Sequence, residues 1–434
     1  MIATITITCC SIVLMFVSLM VFPEAKIKGK SFETFFIGPL LGAIVILCFG
    51  LIDYSDLGKS LIQSGSINPL EILALFLSMS FISIVLDEAG FFSYLACKVA
   101  NKSKGSQYTL FFLLYALTSI LTIFTSNDIV ILTFTPFIIF FTKRAKISPI
   151  PFLVSEFVAS NTYSMLLLIG NPTNIYLAQS FNIGFFEYFS KMWLATILSG
   201  VTGLISLLVV FRKKLKASFS ATEDHPTLKD PVLAIVSLVI LGLTIVMMAV
   251  SDFVSIPLWL VSVIGALFLI IFVLFYGIKN HKSYRYLGNS FLRLPYPVIP
   301  FILSMFVLVL SLKDAGVIKI IANYLSNINP YLGVGLISFI GADFLNNIPM
   351  SVFFTEVISS MSTYNSLNVY LAIISSNIGA YLTPVGALAG VMWMSILKNH
   401  EIKFGFLDFI KYLSPISIIS LGFAFLGLFL VSLV

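Results

Sequence analysis

The sequence predicts an all-α polytopic membrane protein of about ten transmembrane helices plus two re-entrant hairpins, set in two inverted-topology repeats, N-out and C-out. Three observations predict it. Hydrophobic residues make up 59% of the chain and charged residues 10%, with a mean hydropathy of +1.06, far from the roughly one-quarter charged residues of soluble domains. Basic residues gather in alternate loops between the apolar stretches. Three polar patterns of the first half return, in the same order, in the second.

The apolar stretches predict spans at 3–22, 34–51, 69–87, 149–180, 188–211, 232–250, 256–276, 296–312, 368–396 and 407–433. Two further segments, 108–142 and 331–360, are pairs of apolar arms around the polar tips TSND and LNNIP, which predicts hairpins that enter and leave on one side. With the N-terminus outside, Lys26, Lys28 and Lys30, then Lys98, Lys102 and Lys104, then Lys143, Arg144 and Lys146 fall in the cytoplasm. So do RKKLK at 212–216, Lys279, Lys282, Arg285, Arg293, Lys398 and Lys403, as the positive-inside bias requires. The predicted external loops are acidic or mixed: Asp53, Asp56 and Lys59, then Glu187 with Lys191, then Asp252. The net charge of +6 is therefore topology information, and no nucleic-acid partner is expected.

The polar stretch 212–230 is long enough to separate two halves, 1–211 and 231–434, as a cytoplasmic linker. SMSFISIVLDEAGFF at 78–92 matches SMFVLVLSLKDAGVI at 304–318, and TSNDIVILTFTPFI at 125–138 matches FLNNIPMSVFFTEV at 344–357. VASNTYSMLLLIGNP at 158–172 matches SSNIGAYLTPVGA at 375–387, placing Asn161 on Asn377 and Gly170 on Gly386. Five spans and one hairpin per half force the second half into the membrane upside down. DEAGFFSYLACKVANKSKG and DAGVIKIIANYLSNIN are amphipathic and too short to cross, and are expected to lie at the surface.

Irregular backbone at membrane depth survives only inside protein or beside a water-filled cavity. Four such places are expected. The hairpin tips hold Ser126, Asn127 and Asp128, and in the second half Asn346, Asn347 and Pro349. Breaks are expected within 149–180 at GNPTN (Gly170, Asn171, Thr173) and within 368–396 at TPVG (Thr383, Gly386), where proline removes a helical hydrogen bond and glycine permits a turn. With Ser160, Asn161, Thr162, Ser376 and Asn377 beside the breaks, these residues make a candidate binding site for an anionic or hydroxylated solute. Asparagines can also merely join helices, and that alternative stands beside the first. Asp128, Glu156 and Asp343 are ionisable groups at depth and hence candidates for proton or cation coupling. Asp87 and Glu88 are expected at the interface, and Glu356 near the outer end of its arm.

Other chemistries are disfavoured. No Walker loop is present, His225, His281 and His400 are scattered through loops, and no cofactor or metal site is expected. Cys9, Cys10, Cys48 and Cys97 lack metal-ligand spacing and are expected to be buried apolar residues.

Taken together, VLDEAGFF, SNDIVILTFTPFI, SNTYSMLLLIGNPTNIYLA, FNIGFFEY, NNIPM and SSNIGAYLTPVGALAGVMW resemble the arsenite and antimonite efflux permeases of the ion transporter superfamily, over about 70–415. The resemblance implies export of trivalent arsenic or antimony hydroxide in exchange for protons, with an elevator-like movement of hairpins and broken helices. It leaves room for a soluble ATPase subunit and a homodimer, in the plasma membrane of a prokaryote. Family members often have an acid where Asn161 and Asn377 stand, which leaves H+ or Na+ as the coupling ion. GNPTN resembles other superfamily branches, so a dicarboxylate-like anion transporter and a sodium/proton antiporter stay as alternatives.

Overall fold

The computed structural model describes residues 1–21, 24–27, 30–62, 68–219, 227–279, 282–362 and 365–433. Among them, each half lays down ten α-helices. The first half comprises α1 (Ile2–Val21), α2 (Ile37–Cys48), α3 (Tyr54–Ile62), α4 (Pro69–Glu88), α5 (Phe91–Lys102), α6 (Gln107–Phe124), α7 (Asn127–Arg144), α8 (Ile150–Tyr163), α9 (Pro172–Ser180) and α10 (Phe185–Phe211). The second comprises α11 (Pro231–Val254), α12 (Leu258–Lys279), α13 (Lys282–Leu292), α14 (Val298–Asp314), α15 (Val317–Ser326), α16 (Ile337–Leu345), α17 (Asn347–Ser359), α18 (Ser366–Gly379), α19 (Leu388–Asn399) and α20 (Phe406–Ser432). A π-helical turn, Tyr331–Leu336, leads into α16.

Local chemistry sets where helices start. Asn68, Asn171 and Asp230 each accept a backbone N–H of the following turn, and Pro69, Pro172 and Pro231 open the helices behind them; proline suits a first turn whose N–H groups have no helical acceptor. The predicted surface helices are α5 and α15. Each follows its span through a glycine in the left-handed region, Gly90 at φ 87° and Gly316 at φ 79°. Only glycine takes that conformation without strain, and α15 turns 78° away from α14.

Packing repeats across the halves. α2 lies on α14 as α12 lies on α4, and α19 on α7 as α9 on α17, while α10 and α20 share the most extensive contact of the fold. Two layers result, one built from α1, α2, α4, α11, α12 and α14 and one from α6 to α10 with α16 to α20. Their outer surfaces expose apolar residues such as Val209, Leu243, Phe268 and Ile418, as a lipid-facing bundle must. Among the described residues six helices, α4, α6, α10, α11, α12 and α20, are long and apolar enough each to cross a membrane alone. α2, α8, α9, α18 and α19 are shorter, the last four being halves of interrupted spans.

The structure corrects several details. The short amphipathic helices α3 and α13 occupy matching places in the two halves, where only loops were expected. A two-stranded antiparallel sheet, β1 (Glu24–Ile27) with β2 (Lys30–Glu33), joins α1 to α2. The cysteines are not buried: Cys9, Cys10 and Cys48 are exposed on the bundle and Cys97 is partly so, because they lie on faces of helices that no other helix covers. Finally, the breaks are longer and begin earlier than GNPTN and TPVG suggest. Irregular backbone runs over 164–171 and 380–387, and Pro172 starts the second half-helix rather than interrupting one.

Candidate solute site and access cleft

Each hairpin tip meets its own half beside the break, and the two breaks meet each other. At the first tip, α6 ends at Phe124 and α7 begins at Asn127, whose Nδ2 donates to Asn161 Oδ1 of α8 at 3.1 Å. At the second, Asn346 has a φ of 71°, and its amide donates to the Val385 carbonyl at 3.0 Å while the Asn347 N–H donates to the Gly386 carbonyl at 2.9 Å. Each tip therefore clasps the break of its own half.

The breaks are stitched to each other. Asn377 Oδ1 accepts from Ser164 Oγ at 2.9 Å and Asn171 Nδ2 at 3.1 Å, and its Nδ2 donates to Asn174 Oδ1 at 2.6 Å and to the Ile373 carbonyl at 2.8 Å. Ser376 donates to Thr173 at 2.6 Å, Thr173 to Asn171 at 3.0 Å, and Thr162 shares a 2.9 Å hydrogen bond with Tyr381. Freed carbonyls find donors as well: Asn174 reaches Ser164 O at 2.8 Å and Tyr188 reaches Met165 O at 3.0 Å. The Ser164 and Met165 carbonyls freed by the first break are thus satisfied, as backbone groups inside a bilayer must be. Gly170 and Gly386 are forced by close approach, since a Cβ would sit 2.2 Å from the Ser164 carbonyl oxygen and 2.6 Å from that of Gly379.

Saturation separates the candidates into two groups. Asn377 uses both lone-pair directions and both amide hydrogens within the protein. Asn171 and Thr173 are similarly occupied, and Ser160 only bonds back to Phe157 of its own helix. By contrast Ser126 Oγ, Asn127 Oδ1 and Asp343 Oδ2 are buried oxygens with no hydrogen-bond partner. Unfilled buried acceptors carry a desolvation penalty that a donor-bearing solute would relieve. Asp343 Oδ1 is held by Thr383 at 2.6 Å. Glu156 lies apart from the tips, fully buried on α8, where Thr135 of α7 bonds its carboxyl at 2.9 and 3.1 Å. The buried Trp393 indole flanks Phe157 with ring centroids 5.0 Å apart.

A cleft of about 650 Å³ runs from the surface to the first tip. Ser126, Asp128 and Ile129 of α7, Leu388 and Met392 of α19, Phe76 and Ser80 of α4, and the segment Leu292–Val298 line it. The N-termini of α7 and α19, which face this cleft, have no side-chain cap, whereas Asn171 and Asn346 cap α9 and α17. Among the described residues, the only basic side chain lining the cleft is Arg293, and it is engaged: its guanidinium meets Asp87 at 2.7 Å and Glu88 at 2.6 Å, with Asn289 on Glu88 at 3.1 Å. None of the four cysteines lines the cleft. Sequence reasoning missed the binding of Arg293 to Asp87 and Glu88, and the place of Tyr381, because nothing local distinguishes them; Asn174 was visible as the last residue of GNPTN.

Paired helical hairpins, paired helix breaks and a cleft ending on the polar first tip define a polytopic membrane transporter. A family model described as "Citrate transporter" matches residues 34–369. The chain belongs to that family. The arsenical pump membrane protein of Escherichia coli is 26% identical over 390 residues, covering 84% of this chain and 87% of the relative. A 46 kDa membrane protein of Mycobacterium leprae is 25% identical, covering 90% and 92%. These relatives bear out the resemblance to arsenical efflux permeases. In fold the chain is similar to the crystal structure of the Alcanivorax borkumensis YdaH transporter, with a TM-score of 0.54 at 12% identity over 99% of this chain and 98% of that one.

Proposed function

We propose that the protein exports arsenite or antimonite, as the neutral trihydroxide, in exchange for protons. One observation carries this reading: at its polar end the cleft is lined by Ser126, whose Oγ is unfilled beside the equally unfilled Asn127 Oδ1, and by the acidic Asp128, with no basic side chain among its described lining residues left uncompensated. A trihydroxide brings three O–H donors to such a site, and its own oxygens suit the uncapped N–H groups of α7 and α19. A tricarboxylate brings only negative charge towards Asp128. Asn127, Ser126 and Asp343 contact the solute in this reading. Asn161, Asn171, Thr173, Ser376, Asn377, Asn346, Asn347 and Thr383 hold the frame, and Gly170 and Gly386 permit its turns. Glu156 exchanges the proton, with Asp128 nearest the cleft.

The halves 1–211 and 231–434 are inverted repeats joined by the linker 212–230. α6 to α10 and α16 to α20 move as one elevator-like body against a scaffold of α1 to α5 and α11 to α15. The setting is the plasma membrane of a prokaryote, with the Arg293 end of the cleft cytoplasmic; a soluble ATPase subunit and a second copy of the chain are compatible partners. Two observations favour a second reading, citrate or another carboxylate moved with a cation: the family description and the uncapped helix N-termini facing the cleft. Flux in proteoliposomes separates the two. Arsenite efflux that is driven by a pH gradient, competed by antimonite and indifferent to citrate is expected; citrate flux without arsenite flux overturns the proposal.

A further inference from the structure

We propose that the ion pair between Lys313 and Glu356 is a latch, closing the boundary between scaffold and hairpin body at the end of the molecule opposite the cleft. The inference rests on the two-body reading given above. Lys313 lies in the last turn of α14, and Val298 and Pro300, in the first turn of the same helix, line the cleft. A helix of 17 residues is about 25 Å long, so the pair and the cleft occupy opposite faces.

The pair joins the two bodies. Lys313 Nζ lies 2.8 Å from Glu356 Oε2 of α17, an ion-pair contact without hydrogen-bond alignment; the carboxylate side chain is 4% exposed and the lysine 46%. One charge is thus buried in the hairpin body, and its counter-charge arrives from the scaffold by way of the surface. Among the described residues, α15, α16 and α18 bring no ionisable side chain into hydrogen-bond or ion-pair contact with Glu356. α9 brings the buried Tyr176, whose hydroxyl has no hydrogen-bond partner and lies within electrostatic reach of the carboxyl. Drawing Lys313 away would leave a buried carboxylate without compensation, which is strongly unfavourable. Movement of the hairpin body past α14 is resisted for as long as that charge is present.

The internal repeat sharpens the point. In the alignment of the halves, Asp87 stands where Lys313 stands and Phe137 where Glu356 stands, so the latch has no twin. On the cleft side Asp87 and Glu88 spend their charge on Arg293, and all three belong to the scaffold. The ion pairs of that side lie within one body and leave the boundary open as a cleft, while the pair on the other side crosses the boundary.

The test uses a full-length chain in which Cys9, Cys10, Cys48 and Cys97 are alanine and a reporter cysteine replaces Leu132, which lines the cleft. The rate of labelling by a membrane-impermeant maleimide is measured in vesicles from the cleft side, without solute. E356Q and K313Q are each expected to slow labelling by about fivefold or more, and the swap K313E/E356K to restore it to within about twofold. Labelling unchanged in both single variants overturns the latch. Should a single variant fail to fold, K313C/E356C in the cysteine-free background without the reporter at 132, joined by a short bis-maleimide, decides: arrested flux is expected, and flux at the uncross-linked rate shows that the pair never parts and overturns the latch. A failure of the arsenite reading is distinct, because the labelling ratio needs no solute and stays intact while arsenite flux is absent from the parent.

Discussion

Replacing Asn377 by alanine is expected to unfold the site rather than to weaken solute binding. The side chain is fully buried and makes four hydrogen bonds, two accepted and two donated. Truncation strands the Asn171 amide hydrogen and the Asn174 carbonyl oxygen; Ser164 keeps its alternative acceptor, the Asn161 carbonyl at 2.9 Å. Each orphaned buried group costs about 1–3 kcal/mol by soluble-protein measures, and nearer 0.6 kcal/mol where the membrane reference state finds other partners. The total is therefore about 1–6 kcal/mol against a stability of about 5–15 kcal/mol. Asn127→Ala strands one buried group, the Asn161 Oδ1, and removes an oxygen that already lacks a partner, so its cost is about 0.6–3 kcal/mol, half that of N377A. Thermal unfolding of both variants in detergent, beside arsenite binding, checks the contrast. N377A should lower Tm by about twice the N127A shift, and N127A should lose binding by more than its smaller Tm shift explains. The reasoning is refuted if N377A keeps the parent Tm and loses only affinity.

Three further outcomes follow from the same geometry. Gly170→Ala places a Cβ 2.2 Å from the Ser164 carbonyl oxygen, so the break must shift; expression of folded protein, read by size-exclusion profile, should fall severely, whereas Gly422→Ala, with open space around it, should be neutral. Glu156→Gln preserves the bond to Thr135 and removes the exchangeable proton, so counterflow of arsenite should persist while uphill efflux driven by a pH gradient is lost; pH-driven efflux at the parent rate would remove Glu156 from the coupling role. Replacing all four cysteines with alanine should leave arsenite flux within about twofold of the parent, since none lines the cleft; a loss of tenfold or more would bring thiol capture back.

Much of this was legible in the chain because the bilayer allows few solutions. The doubled DEAG and KDAG turns, realised at Gly90 and Gly316, and the recurrence of Asn161 as Asn377 announced two matched halves and two matched breaks. Helix starts such as Asn68–Pro69 and Asp230–Pro231 carry their own capping chemistry. Less was legible at the breaks. Pro172 in GNPTN reads as an interruption, yet it opens α9, because a proline at the first helical position and one within a helix look alike until the upstream backbone is known. The exposed cysteines of α1 escaped for a related reason: a helix that is apolar all round gives no sign of which face meets lipid.

What the sequence determined by itself is the part governed by local and one-dimensional rules: apolar lengths, capping residues, and the order of elements in each half. Only the tertiary structure decided which polar atoms are spent and which are free. Asn127 and Asn377 are indistinguishable as letters beside a tip and a break. Their difference arises because residues some 200 positions apart, Ser164 and Asn171 of one half, close on Asn377 of the other, while among the described residues none reaches Asn127 Oδ1. Hydrogen-bond saturation is a property of three-dimensional neighbours, and so is the pairing of Arg293 with Asp87 and Glu88 that leaves the cleft without an uncompensated cation.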